Sequence, residues 1–109
     1  MANFGAVALI QRRNAINLVS VASLWEIAVK VGLGKLELQM PLAQLPLQIA
    51  ANGFRTLPIT VEDALLVANL PPHHRDPFDR IIICQGINNQ LTILSKDAMF
   101  RLYDVATLW

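Results

Sequence analysis

The chain has 109 residues, a length that suits one domain around one hydrophobic core. Hydrophobic residues make up 54% of it and charged residues 16%, which excludes an intrinsically disordered chain. The formal net charge of +1 gives no general electrostatic argument for nucleic-acid binding, so any such activity would depend on a local site. No apolar run approaches the ~20 residues of a membrane span, and no signal peptide is recognisable, so we expect a cytoplasmic protein without a membrane partner.

The N-terminal part of the chain predicts a short helix, a strand and a longer helix. Residues 4–13 carry apolar side chains in a spacing that indicates a short helix at best. Residues 16–21 are apolar and rich in β-branched side chains, which is typical of a buried strand. Ser23 and Glu26 then form a Ser-x-x-Glu capping box, which predicts that the next helix begins there. Two glycines predict that this helix ends within residues 32–34.

The middle of the chain continues this alternation of helices and strands. Residues 36–51 predict a loop followed by an amphipathic helix, and residues 55–59 predict a second strand. Thr60 and Asp63 form a second capping box, now of the Thr-x-x-Asp type. The helix that follows is predicted over residues 64–70, because a pair of prolines comes directly after it.

The last third of the chain begins with a strongly predicted helix. Asp76 is expected to cap it and Pro77 to occupy its first position, and the helix runs from there to about residue 88. Cys84, the single cysteine, lies in its apolar run and is expected to be buried. A third strand, a brief helix and a terminal strand follow at residues 91–95, 97–102 and 105–109. This alternation of helices with apolar strands is typical of an α/β fold with a parallel sheet.

Acidic residues follow two of the predicted strands and begin one of the predicted helices. In an open parallel sheet, ligands bind beyond the carboxyl ends of the strands. Glu26 and Asp97 are therefore expected to share one edge of the sheet, and Asp79 can join them there. Crowded carboxylates repel one another, and a bound divalent cation such as Mg²⁺ removes that penalty. Such a site can activate water for attack on phosphorus.

Each of these acids also has a purely structural interpretation. Glu26 would be the third residue of its capping box, Asp79 lies in the first turn of its helix, and Asp97 can cap a helix of its own. The helix dipole favours acids at these positions by ~0.3–1 kcal/mol. Thr60 and Asp63 show the same capping pattern, and we assign no chemistry to them, so an acid at a helix start does not by itself indicate a metal site. The convergence of three acids on one edge is what favours a metal site.

Other side chains near the acids have two interpretations each. Arg80 and Lys30 could bind a substrate phosphate, but Arg80 could equally pair with the neighbouring aspartates, and Lys30 could belong to a solvated helix end. His73 and His74 could bind a transition metal together with the aspartates, although the preceding prolines favour solvated loop residues. Trp25 is interpreted as a core residue rather than as a platform for stacking bases.

Three stretches, taken in order, resemble the PIN (PilT N-terminus) domain, and most closely its VapC-type toxin branch: SVASLWEIAVKVGLGKLEL, LPITVEDALLVANLPPHHRDPFDRIIICQ and LTILSKDAMFRLYDVATLW. The resemblance covers about residues 17–109. It implies a three-layer α/β/α sandwich and an endoribonuclease that cleaves RNA with water and Mg²⁺ or Mn²⁺. It further implies Glu26, Asp79 and Asp97 as the catalytic metal ligands and Asp76 as an auxiliary acid. A cognate antitoxin and a second copy of the chain are the implied partners.

One unit of the PIN pattern has no counterpart in this sequence. Such domains open with a strand ending in an aspartate, often within Leu-Asp-Thr-His, and then a helix; this unit of roughly 30 residues is not found before Ile16. In the family, that strand lies at the centre of the sheet. We therefore expect one PIN-like domain over residues 1–109, truncated at its N-terminus, with the central strand of a short parallel sheet missing. Another segment or chain would fill the gap, or the sheet would be rearranged.

The sequence thus leaves two main candidate functions, beside a third in which the chain is a small metalloprotein that binds zinc or iron through His and Asp side chains. The first is an endoribonuclease that depends on Mg²⁺ or Mn²⁺. The second is a non-catalytic PIN remnant that binds an antitoxin or forms a dimer. The high apolar content and the absence of the first aspartate favour the second function, and the three-acid pattern favours the first.

Overall fold

The structure is a computed structural model that describes residues 8–11, 15–95, 98–103 and 105–108. The described strands are β1 (Ala8–Gln11), β2 (Ile16–Ser20), β3 (Phe54–Leu57), β4 (Thr92–Leu94) and β5 (Ala106–Leu108). The described α-helices are α1 (Val21–Gly32), α2 (Leu45–Ala51), α3 (Val61–Leu66) and α4 (Pro77–Asn89). Short stretches of 3₁₀-helix lie at Leu42–Gln44, Val67–Asn69 and Ala98–Leu102. None of these helices combines the length and the apolar character that crossing a membrane requires.

The described strands form one mixed sheet in the order β3-β2-β1-β4-β5. β2 pairs parallel with β3 and β4 pairs parallel with β5, whereas β1 pairs antiparallel with both β2 and β4. The fold class is therefore α/β, as predicted, and it is compatible with a three-layer α/β/α sandwich. The prediction of a parallel sheet is wrong for the central strand, which runs against its neighbours.

β1 occupies the centre of the sheet, where a missing strand was predicted. Its register places Leu9 beside both Leu18 of β2 and Ile93 of β4. β1 therefore pairs backbone groups of two strand edges that would otherwise lack partners. The gap expected between β2 and β4 is filled by the chain itself, and the short helix predicted over residues 4–13 is wrong for residues 8–11. A short apolar run has no period that separates strand from helix, so its partners decide its structure.

α1 begins at Val21, with Ser20 as its N-cap, and not at the capping box predicted from Ser23. Ser20 is buried at the end of β2, and its Oγ accepts a hydrogen bond from the N–H of Ala22 at 3.0 Å. The prediction was wrong because two serines compete for the same role, and the one that ends the strand takes it. The end of the helix is as predicted, since α1 stops at Gly32 and Gly34 follows with a left-handed φ of 71°.

The other two predicted helix starts are confirmed. Thr60 Oγ1 accepts a hydrogen bond from the N–H of Asp63, and the Asp63 carboxylate accepts one from the N–H of Thr60. At the start of α4, Asp76 Oδ1 accepts hydrogen bonds from the N–H groups of Phe78 at 2.8 Å and Asp79 at 3.2 Å. These caps depend only on neighbouring residues, so the local sequence is enough to predict them.

The hydrophobic core lies between α4 and the sheet and includes the 3₁₀-helix that follows β4. Its most buried large apolar side chains are Leu9, Ile83, Ile93 and Phe100. α4 approaches the sheet closely at Gly86, where an added Cβ would lie 2.9 Å from a methyl carbon of Val105. Because α4 packs directly on the core, the core fixes the orientation of the acidic first turn of α4.

Cys84 is fully buried in α4, as predicted, and this burial raises the pKa of its thiol to about 11, with the charge of Asp63 adding to the rise. The folded state favours the neutral thiol, whereas the thiol of the unfolded chain loses its proton near pH 9.0, its ordinary pKa. The contribution of Cys84 to the unfolding free energy is therefore full below pH 9.0 and is lost as the pH rises toward about 11. We expect the folded chain at pH 8 to resist a thiol reagent and to react once unfolded in guanidinium chloride. Rapid labelling of the folded chain would contradict this prediction. Cys84→Ala should remove the contribution of this thiol and so lessen the fall in unfolding free energy between pH 9.0 and about 11, measured by urea denaturation.

Candidate active site

Glu26 lies on the buried face of α1, in the second turn of the helix. That face runs through Ala22 and Glu26 and continues to Lys30. Glu26 is only 4% exposed, and its Oε2 accepts a hydrogen bond from Lys30 Nζ at 2.8 Å. Because α1 begins at Val21, Glu26 is not a capping residue, so its structural interpretation from the sequence fails. A buried carboxylate needs a cation or hydrogen-bond donors, and Lys30 provides one here.

Trp25 connects the start of α1 to the start of α4. It is 55% exposed, and its ring meets that of Phe78 edge to face, with 4.8 Å between the ring centroids. The interpretation of Trp25 as a core residue is therefore wrong, because α1 turns Glu26 inward instead. Trp25 and Phe78 each directly precede an acid, so this contact brings the segments that carry Glu26 and Asp79 together.

Asp79 lies in the first turn of α4 and is 9% exposed, so it is buried beside the sheet. Its N–H group donates to Asp76 Oδ1, which makes Asp76 the cap of the helix. The sequence analysis also predicted Asp76 as the cap of this helix. The predicted role of Asp79 as a metal ligand stays a prediction. Asp76 was also predicted to be an auxiliary acid of the site, and that part stays a prediction.

Asp97 falls outside the described residues, so its place in the site stays a prediction. Within the described residues, no group of three His, Cys, Asp or Glu side chains lies close enough together to hold a metal ion. The two predicted site acids that the structure describes, Glu26 and Asp79, are both buried and offer only carboxylate oxygens. Such ligands fit Mg²⁺ or Mn²⁺ in kind, and Mg²⁺ commonly takes only one or two carboxylates besides water.

The sequence model of the PIN domain family matches residues 5–106, nearly the whole chain. The chain belongs to the PIN domain family. This membership indicates nuclease activity in general, and PIN domains generally depend on a divalent metal ion. The match includes all three predicted site acids and also the segment that forms the antiparallel β1. A search of curated proteins found no match, and neither did a search of solved structures.

Arg80 organises the segment that leads into α4 of this PIN domain. Its Nη1 donates to the carbonyl oxygens of Pro71 and His74, and its Nη2 donates to those of Val67 and Leu70, all at 3.1–3.2 Å. The guanidinium thus holds the chain between the end of α3 and the Asp76 cap. Its predicted binding of a substrate phosphate stays a prediction, but the structure gives this side chain a structural role that the sequence analysis did not foresee.

His74 is buried against the 3₁₀-helix that follows β4. Its backbone N–H donates to Tyr103 Oη at 2.8 Å, its Nδ1 lies 3.1 Å from the same oxygen, and its ring packs on Phe100. The interpretation of both histidines as solvated loop residues is therefore wrong for His74. The Pro-Pro pair does end a helix, but Arg80 then draws the following segment inward, and this cannot be read from the local sequence.

Gln85 was not identified from the sequence, yet it connects three elements beneath the site. It is fully buried on α4; its Oε1 accepts a hydrogen bond from Ser20 Oγ at 2.5 Å, and its Nε2 donates to the carbonyl oxygens of Leu57 and Pro58. These partners lie at the ends of β2 and β3. The available clue was one amide side chain inside the apolar run that Ile81 begins, since a buried polar group must find partners.

Proposed function

We propose that this PIN domain is a Mg²⁺-dependent endoribonuclease of the VapC toxin type that hydrolyses RNA phosphodiesters in the cytoplasm. The observation that carries the proposal is the pair of buried acids, Glu26 and Asp79, on helices joined by the contact between Trp25 and Phe78. Ser20 caps α1 and Asp76 caps α4, so the two buried acids lie close to the caps of their helices and are separate from them.

In this proposal, Glu26, Asp79 and Asp97 would hold Mg²⁺ or Mn²⁺. The bound ion supplies the charge that makes water a nucleophile and that stabilises the negative charge developing at phosphorus. The chain itself contributes fixed acids: Asp76 caps α4 and thereby sets the direction of its first turn, and α1 turns Glu26 inward. Because the two acids are buried, fewer water molecules compete with their carboxylates for the ion.

Lys30 is the better candidate of the two basic residues that were predicted to bind a substrate phosphate. Its ammonium group is held at Glu26 and its side chain is 24% exposed, so it can reach a phosphate that enters beside that acid. Arg80, by contrast, directs both of its terminal nitrogens at backbone carbonyl groups. A phosphate would have to compete with four hydrogen bonds there.

A second candidate function is a non-catalytic PIN remnant that binds a cognate antitoxin or a second copy of the chain. It is favoured by a groove that is almost entirely apolar, between α1 and the start of α2. The groove is lined by Val21, Leu24, Trp25, Ala28, Leu42, Leu45 and Pro46. Exposed apolar surface of this kind commonly marks an interaction site.

Calorimetric titration with Mg²⁺ distinguishes the two functions. For the nuclease we expect binding by the wild-type chain, little or no binding by Glu26→Gln, and unchanged binding by Glu62→Gln, which replaces an exposed acid on α3. Glutamine keeps the shape of Glu26 but not the negative charge that holds the ion. Absence of Mg²⁺ binding in the wild-type chain, combined with tight binding of a protein partner, would support the second function instead.

A further inference from the structure

A chain of buried hydrogen bonds joins the start of α1 to α4. The N–H of Ala22 donates to Ser20 Oγ, and the Ser20 hydroxyl donates to Gln85 Oε1. The amide nitrogen of Gln85 then reaches the carbonyl oxygens of Leu57 and Pro58 at 3.3 and 3.2 Å. One amide side chain thus ties together the cap of α1, the body of α4 and the end of β3.

This connection is one of the attachments between α1 and α4. Another is the ring contact between Trp25 and Phe78, near the acids. Gln85 lies further along α4 and meets the very beginning of α1, so the two helices run in opposite directions past each other. Contacts at two different levels restrict the rotation of α1 more than either contact could alone.

We infer that Gln85 is a positioning residue of the candidate site, which holds the start of α1 and thereby sets where Glu26 meets the segment of Asp79. The inference rests on the proposed function, because it assigns Gln85 a role in the metal affinity of those acids. Glu26 lies six residues, or about 9 Å along the helix axis, from Ser20. A small rotation at the cap therefore moves the carboxylate away from its place beside α4.

One property of Gln85 sets it apart from an ordinary buried polar residue. The oxygen of its amide bonds to Ser20 at the cap of α1, and the nitrogen bonds to Leu57 at the end of β3. Neither α1 nor β3 can therefore shift alone without leaving a buried polar group unpaired. Asn88, one turn further along α4, offers the contrast, because its amide donates a hydrogen bond to Asp63 of α3. The two residues thus allow the loss of a hydrogen bond on α4 to be separated from the loss of the attachment to α1.

The test is the dissociation constant for Mn²⁺, measured by electron paramagnetic resonance on the whole chain. Gln85→Met keeps the length of the side chain and removes all of its hydrogen bonds, and Ser20→Ala removes the bond to Gln85 together with the capping bond to the N–H of Ala22. We expect each variant to raise the dissociation constant about tenfold, the scale found for residues that support metal ligands, and the double variant to raise it no further. Asn88→Ala should stay within about twofold of the wild-type chain, well below that scale.

Two results would overturn the inference. One is an unchanged dissociation constant in Ser20→Ala and Gln85→Met, and the other is an equal rise in Asn88→Ala. Ser20→Ala is the smaller change, and an unchanged dissociation constant in this variant overturns the inference even if Gln85→Met does not fold. If the wild-type chain binds no Mn²⁺, the proposed function fails, and amide hydrogen exchange decides the attachment separately. Protection in the first turns of α1 should then fall in Gln85→Met but not in Asn88→Ala, and equal protection in both would overturn it.

Discussion

Asp79→Asn is expected to abolish the Mg²⁺-dependent cleavage of single-stranded RNA while leaving the fold intact. Asparagine has the shape of aspartate but not the charge that holds a divalent ion, and the start of α4 is kept because Asp76 provides its cap. We expect activity to fall more than about 100-fold, the upper end of the losses caused by residues that merely support metal ligands. Cleavage of a labelled RNA at fixed Mg²⁺ concentration, with circular dichroism of both proteins, measures the effect.

Asp76→Asn is the matched control for this experiment. Asparagine caps helices about as well as aspartate, so α4 should begin at the same place and most of the activity should remain. A large loss in this variant would make Asp76 more than an auxiliary acid. Equal cleavage by the wild-type chain and Asp79→Asn would refute the assignment of Asp79 as a metal ligand.

Arg80→Met is expected to destabilise the fold by about 3 kcal/mol, because four backbone carbonyl groups lose their charged donor. Each such bond contributes roughly 1.5–3 kcal/mol when the donor is charged, and the total is smaller because Arg80 is only half-buried and water can replace part of it. Methionine keeps the apolar stem of the side chain, so lost packing adds little. Urea denaturation followed by circular dichroism gives the difference in unfolding free energy.

Two further variants make this measurement specific. Arg75→Met removes the same charge from an exposed position on the same segment and should change stability by less than about 0.5 kcal/mol. Arg80→Lys keeps the charge but not the planar fork, so we expect roughly half of the loss seen with methionine. If Arg80→Met costs no more than Arg75→Met, the guanidinium does not organise this segment.

Much of the fold could be predicted because the interactions that decide it are local. The cap at Asp76 and the capping box of Thr60 and Asp63 bond to backbone groups two or three residues away. A sequence window therefore contains all the information that they need. The end of α1 was predicted for the same reason, since the left-handed φ of Gly34 is a property of one residue.

The central strand could not be predicted, because nothing in its own four residues decides between strand and helix. Its conformation depends on pairing with β4, which lies far away in the sequence. The prediction of where α1 begins was wrong for a related reason. Ser20 and Ser23 are both suitable caps, and the bond of Ser20 to the distant Gln85 favours Ser20. Local patterns give candidates, and a distant partner chooses among them.

The candidate site divides in the same way. The acids could be found, because a carboxylate after a strand or in the first turn of a helix can be recognised in the sequence, and Glu26 and Asp79 are indeed buried. The residues that hold those acids in place were missed or given other roles. Arg80 and Gln85 act through backbone carbonyls and one serine hydroxyl, and no motif describes such partners.

Because β1 and β2 pair antiparallel, a short connection can join them, whereas a parallel pair would need a crossover of a dozen or more residues. The antiparallel direction of β1 therefore lowers the entropic cost of assembling the centre of the sheet. In the register, Leu9 faces Leu18, nine residues away, and Ile93, 84 residues away. The entropy lost on closing a loop grows only with the logarithm of its length, so the distant pairing costs only about 2 kcal/mol more than the near one. A strand of four residues therefore links the first part of the chain to its last part at little extra cost in chain freedom.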